Sequence, residues 1–259
     1  MGKKIIGMPN FWDSPAGRYL KAWETAEMDT LVADVFGFHA LQLGLPELDA
    51  LAANRMPHRW CAVQDPDNGA HASKPGRAQL VCEPSALPFP EASLDLVVMP
   101  HTLELHPDPH AVLREVARVL VPEGRVVICG LNPNSLWGWR YRSSAPKSGL
   151  VLPQVQELIG YWRLRDWLKL LDFEIERGGF GCYLPQLSQE DWMRRLNFMD
   201  RLGPKWWPIL GAVYFVTAVK RVHGMRLIEP KRQKVRKTAA VRLPVAHKRP
   251  SHGRRSPRT

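Results

Sequence analysis

Ala86-Leu87-Pro88-Phe89-Pro90-Glu91-Ala92-Ser93-Leu94-Asp95-Leu96-Val97-Val98-Met99 runs from a proline-punctuated turn into a nearly unbroken apolar segment. Such a run after turn residues reads as a strand buried on both faces, as in a parallel sheet. The residues that follow, Met99-Pro100-His101-Thr102-Leu103-Glu104-Leu105-His106, then stand at the C-terminal edge of that sheet, where open α/β folds bind ligands.

Similar short apolar runs lie at Ala40–Leu43, Trp60–Val63, Ala78–Cys82 and Arg125–Cys129. A helix is expected at Ala111–Leu120, and another around Leu48, Leu51 and Ala52 after the turn at Gly44. Near the N-terminus Leu20, Trp23, Leu31 and Val35 recur at helical spacing behind Ser14-Pro15, a cap with proline in the first turn, so a helix is expected over about Pro15–Phe36. Beyond Gly130 the chain reads as irregular to about Leu152. Helices at Pro153–Leu171 and Trp192–Leu202 then alternate with strands at Phe173–Arg177 and Ala212–Lys220. Strands alternating with helices predict an α/β, Rossmann-like fold with about seven strands, mostly parallel, and helices on both faces.

The formal net charge of +11 is unevenly placed. Residues 220–259 hold 14 Lys/Arg against the single acid Glu229, leaving 22 basic and 24 acidic residues in the first 219. The expected organisation is a domain over residues 1–222, its first 38 residues a helical segment, followed by a disordered basic tail over 223–259. The tail lacks the aromatic platforms that single-stranded bases stack on, so it offers nucleic acid or an acidic partner only phosphate-type attraction. Cys61, Cys82, Cys129 and Cys182 are widely spaced and form no CxxC pair, so buried reduced thiols are expected and no metal site. Trp206–Val219 is too short to span a bilayer as a helix, and the N-terminus lacks the apolar run of a signal peptide, so a cytoplasmic protein with no membrane span is expected.

The quoted segment resembles the "ALPFPDxSFDLV" stretch of the type 11 class I methyltransferases, and the likeness continues through Asp108-Pro109, Leu113-Arg114-Glu115-Val116-Ala117-Arg118-Val119-Leu120 and Pro122-Glu123-Gly124-Arg125. The resemblance implies S-adenosylmethionine as cofactor and methyl transfer as reaction. It also implies an acid contacting the adenine amino group, a position on which Glu83 falls, although the family more often has aspartate there. The family's acid-x-Gly-x-Gly-x-Gly run is here Gln42-Leu43-Gly44-Leu45-Pro46-Glu47-Leu48, keeping Gly44 alone. Pro46 removes an amide donor and Leu48 adds bulk, so the pocket is wider, differently shaped, or lost.

Asp65, 21 residues after Gly44, is either a ligand of the ribose hydroxyls or a turn residue before Pro66. His101 is the candidate catalytic base or orienting group, because imidazole titrates near neutral pH; the alternative is a histidine that only hydrogen-bonds at a helix start. Glu104 and His106 stand behind it as further candidates. The stretch from Asn132 through Ser135, Trp137 and Arg140 reads either as an acceptor-binding loop, with directional hydrogen bonds, flat apolar surface and a cation, or as a structural turn. These readings combine into a methyltransferase acting on an unidentified, small-molecule acceptor. The competing readings are a catalytically inactive binding module of the same fold, whose basic tail meets nucleic acid or an acidic partner, and an RNA methyltransferase, against which the near-neutral domain argues.

Overall fold

The computed structural model describes residues 11–64, 78–143, 156–185 and 198–222. Asp65 and the basic tail lie outside them. Seven strands, β1 (His39–Leu43), β2 (His58–Val63), β3 (Ala78–Val81), β4 (Leu94–Pro100), β5 (Leu120–Leu131), β6 (Phe173–Gly181) and β7 (Val213–Lys220), form one sheet in the order β3-β2-β1-β4-β5-β7-β6. The pairs from β3 to β5 are parallel, while β7 runs antiparallel between β5 and β6. The strand order reverses between β1 and β4, which makes that junction the topological switch point.

Six α-helices accompany the strands among the described residues: α1 (Pro15–Val32), α2 (Thr102–Leu105), α3 (Pro109–Val119), α4 (Leu136–Ser143), α5 (Tyr161–Leu170) and α6 (Phe198–Trp206). Alternate residues of each strand serve the two faces. On one face Leu96 and Val98 of β4 pack with Leu20, Met28 and Val32 of α1. On the other, Val97 and Met99 pack with Val112, Leu113 and Val116 of α3 and with Leu164 and Leu168 of α5. The quoted strand is therefore buried on both sides, as its unbroken apolar run requires.

The family-like motif also has a mechanical role. Asp95 Oδ2 accepts hydrogen bonds from the backbone N–H groups of Phe38 and His39, both 2.9 Å, and so sets where β1 begins. Arg118 donates to the carbonyls of Leu87 and Phe89 (3.2 and 3.0 Å) and pairs with Glu115, whose other contact is the Leu87 N–H at 2.8 Å. Helix α3 thereby holds the proline-rich turn that precedes β4.

Four expectations are corrected, the first being the helix expected over Pro153–Leu171, which begins only at Tyr161 after the extended Gly160. Helix α1 stops at Val32, and the 48–52 segment is a series of turns with no helix. The cause of the missing 48–52 helix lies in Gln42, whose Nε2 donates to the carbonyls of Gly44, Leu45 and Leu48 (3.1, 2.9 and 2.8 Å) while Oε1 accepts from Ala50 N (3.1 Å). Carbonyls held by a side chain are lost to the i+4 ladder. The 130–152 stretch, read as irregular, contains α4, capped by Ser135.

Candidate functional site

At the switch point β1 ends on Gly44, whose φ of 74° is the left-handed conformation that glycine adopts without strain. The space a side chain would fill there holds Thr102 Oγ1 at 3.6 Å and no other atom closer than 4 Å beyond its chain neighbours. That hydroxyl donates to Leu43 O at 2.6 Å and so fixes α2 against the end of β1. After Gly44 the chain turns inward, and Leu45, Leu48, Ala50 and Leu51 are buried.

Glu83, just beyond β3, is half exposed and accepts from Gln64 Nε2 at 3.0 Å and from His106 Nε2 at 2.6 Å. Its carboxylate is thus held across the C-terminal ends of β2 and β3 and the α2–α3 connection. His106, buried, orients this acid from 23 residues further along the chain.

His101 is placed differently from its sequence-based expectation. It occupies the N-cap of α2 in the left-handed region (φ 53°), and the whole residue is 1% exposed. Nε2 lies 2.6 Å from Glu24 Oε1 of α1, and Nδ1 pairs with Glu104 Oε1 of α2. Burial pushes the imidazole toward neutrality, but the two carboxylates outweigh it and raise its pKa to about 10. With both ring nitrogens so engaged, His101 has no lone pair free to take an acceptor's proton. It joins α1, α2 and β5, because Glu104 Oε2 accepts from Leu131 N (2.9 Å) and Cys129 Sγ donates to Glu24 Oε1 (3.5 Å). Burial and the neighbouring Glu24 push the Cys129 thiol well above its ordinary pKa.

The loop expected to bind the acceptor divides into two groups. Asn132 is a brace: its Nδ2 donates to Ile209 O and Gly211 O (2.7 and 2.8 Å). Ser135 donates to Asn132 O and accepts from Gly138 N, closing the first turn of α4. Trp137 is buried and donates from Nε1 to Leu184 O at 2.8 Å, and its ring forms one wall of a cavity of about 150 Å³ shared with Leu136, Trp139, Arg140 and Pro185. Trp139 and Arg140 are exposed at its mouth. Of the residues singled out in sequence, Trp137 and Arg140 come together in one hollow, and Asn132 and Ser135 support it. Glu24, Cys129 and the pinning role of Gln42 escaped the sequence reading, because no local spacing links residues 24, 101 and 129.

A Methyltransferase domain family matches residues 52–128. Along 235 residues the chain is 31% identical to the uncharacterized protein YafS of Escherichia coli (strain K12), covering 89% of each. A SAM-dependent methyltransferase from Thermotoga maritima superposes with a TM-score of 0.58 at 15% identity, over 78% of this chain and 92% of that one. One from Mesorhizobium loti gives 0.54 at 18% identity, over 77% and 97%. The [4+2]-cyclase SpnF gives 0.57 at 17% identity, over 82% and 87%. The shared architecture thus carries more than one named chemistry.

Proposed function

We propose that this chain, which belongs to the class I S-adenosylmethionine-dependent methyltransferases, binds S-adenosylmethionine over the C-terminal ends of β1 to β4 and methylates a small acceptor held beside α4. The observation that carries the reading is Gly44: a left-handed glycine at the switch point with open space where a side chain would stand. Such a position lets a ligand approach the backbone closely. Bound there, the cofactor supplies an electrophilic methyl group on a sulfonium sulfur.

The chain's own residues do the positioning. Glu83, oriented by His106, accepts from the adenine amino group, and Asp65, outside the described residues, is the candidate for the ribose hydroxyls. Trp139 offers a flat apolar face and Arg140 a cation to an acceptor in the hollow beside Trp137. Since both ring nitrogens of His101 are held by carboxylates, the reading favours an acceptor whose nucleophile needs no base from this residue. His101 then acts as a positioning residue that keeps α1, α2 and β5 in place.

The test is calorimetric titration of S-adenosylmethionine and S-adenosylhomocysteine into the full-length protein, Gly44→Val and Glu83→Ala. Micromolar binding that weakens at least about tenfold in each variant, with circular dichroism unchanged, supports the site. The loop pinned by Gln42, with buried leucines where the family has small residues, favours a second reading, a binding module of the same fold without catalysis. Absence of heat at millimolar ligand from folded protein selects it.

A further inference from the structure

Beneath the switch point, three side chains of different chemistry converge from three elements: the Glu24 carboxylate from α1, the His101 imidazole from the β4–α2 turn, and the Cys129 thiol from β5. Their ligand atoms all lie within 4.8 Å of one another, and all three residues are buried. We infer that these residues form a structural metal site, with zinc as the ion their chemistry fits best.

Four observations support it. The donor set of imidazole nitrogen, thiolate sulfur and carboxylate oxygen is the set that zinc takes. A carboxylate and a thiolate carry two negative charges, which a divalent cation neutralises within a core where unpaired charge is costly. Glu24 Oε2, on the same carboxylate, is buried without a hydrogen-bond partner, so this acid has an unsatisfied oxygen in the core that a cation would satisfy. Finally, a metal-ligating histidine usually donates its other ring N–H to a carboxylate that is itself held. His101 has this arrangement: Nε2 faces the cluster, Nδ1 meets Glu104 Oε1, and Glu104 Oε2 is held by Leu131 N.

The donor atoms, all within 4.8 Å of one another, need shifts of about an ångström. Tetrahedral bonds of about 2.0–2.3 Å put neighbouring donor atoms about 3.3–3.7 Å apart. Cys129 Sγ and Glu24 Oε1 are already at 3.5 Å, while His101 Nε2 and Glu24 Oε1, at 2.6 Å, must open by under an ångström. On binding, the proton on Nε2 and the thiol proton leave to solvent and the metal takes their places. With no exposed donor, the ion enters during folding and exchanges slowly. It clamps α1 to the turn after β4 and to the strand that leads into the α4 hollow, independently of whether methyl transfer occurs.

The experiment is elemental analysis of the full-length protein, produced without a polyhistidine tag and passed through gel filtration. About one zinc per chain is expected, retained through dialysis against a chelator and released on unfolding. Refolding with Co²⁺ should give thiolate-to-cobalt charge-transfer absorption that Cys82→Ser keeps and Cys129→Ser loses. Folded wild-type protein with under about a tenth of an equivalent of any transition metal, even after refolding with excess Zn²⁺, overturns the site. Full zinc content or an unchanged cobalt band in Cys129→Ser also overturns it. If Cys129→Ser fails to fold, the wild-type metal content and Glu24→Gln decide.

Discussion

The substitution Gln42→Glu, which installs the residue class the family carries at this position, is expected to destabilise this chain strongly and in a pH-dependent way. The amide Nε2 faces three carbonyl oxygens, of Gly44, Leu45 and Leu48, within 3.1 Å, in a fully buried site. A carboxylate offers them no hydrogen, so the folded variant must protonate its introduced side chain. Doing so at pH 7 costs about 3.7 kcal/mol, since each pH unit above the ordinary glutamate value of about 4.3 costs about 1.36 kcal/mol. One of the two amide N–H donors is still lost, adding about 1 kcal/mol. The sum, about 4–5 kcal/mol, corresponds to a fall in melting temperature of roughly 10–20 °C for a domain of this size.

The sign follows from a carboxyl whose folded-state pKa is raised. The penalty is absent below the unfolded value and grows as pH rises above it, so at pH 5 the total shrinks to about 2 kcal/mol. Urea unfolding of wild type and variant at pH 7 and pH 5, followed by circular dichroism, measures both numbers. A loss under about 1 kcal/mol at pH 7, or the same loss at both pH values, would show that Gln42 does not pin the loop as described.

Other perturbations report on other joints. Asp95→Ala removes the acceptor of two backbone N–H groups at the start of β1 and should cost about 2–3 kcal/mol in denaturant unfolding; a neutral result would detach the motif from strand placement. Arg118→Ala should cost about 1–2 kcal/mol at neutral pH, a figure reduced because the arginine is partly exposed. The Arg118 hydrogen bonds hold the Glu115 carboxyl below the ordinary range, so this contribution is present above the ordinary glutamate value and disappears as pH falls through the lowered one; acid titration of stability should show the two proteins converging. Gly181→Ala would drive a methyl group into the Trp23 ring and is expected to cost about 1–3 kcal/mol with altered tryptophan fluorescence, whereas wild-type stability would mean that Trp23 moves aside freely. Trp137→Phe loses the bond to Leu184 O and should lower stability by about 1–2 kcal/mol, read by thermal unfolding.

Strand existence and order of appearance were legible from the chain itself, because buried parallel strands demand continuous apolar runs and the segments around residues 41, 61, 97 and 127 supply them. The placement of charge was equally legible: the basic excess belongs to residues beyond 219. What failed was local and specific. The 48–52 segment has helical spacing of leucines, yet a single side chain six residues upstream of Leu48 takes the Leu48 carbonyl and the Ala50 N–H. Asn132 and Ser135 have the chemistry of ligand-binding residues but direct it at the chain's own backbone.

His101 shows the division most clearly. Composition and position identified a histidine at the sheet edge, and an ordinary imidazole there would be a base. Only the fold brings in Glu24 from 77 residues upstream, whose carboxylate together with that of Glu104 raises the imidazole's pKa, and Cys129 from the neighbouring strand, which shares the Glu24 carboxylate. Hydrophobic periodicity is a local property that a sequence carries openly. The protonation state and ligand partners of a buried group depend on what tertiary packing places within a few ångströms, across any separation along the chain.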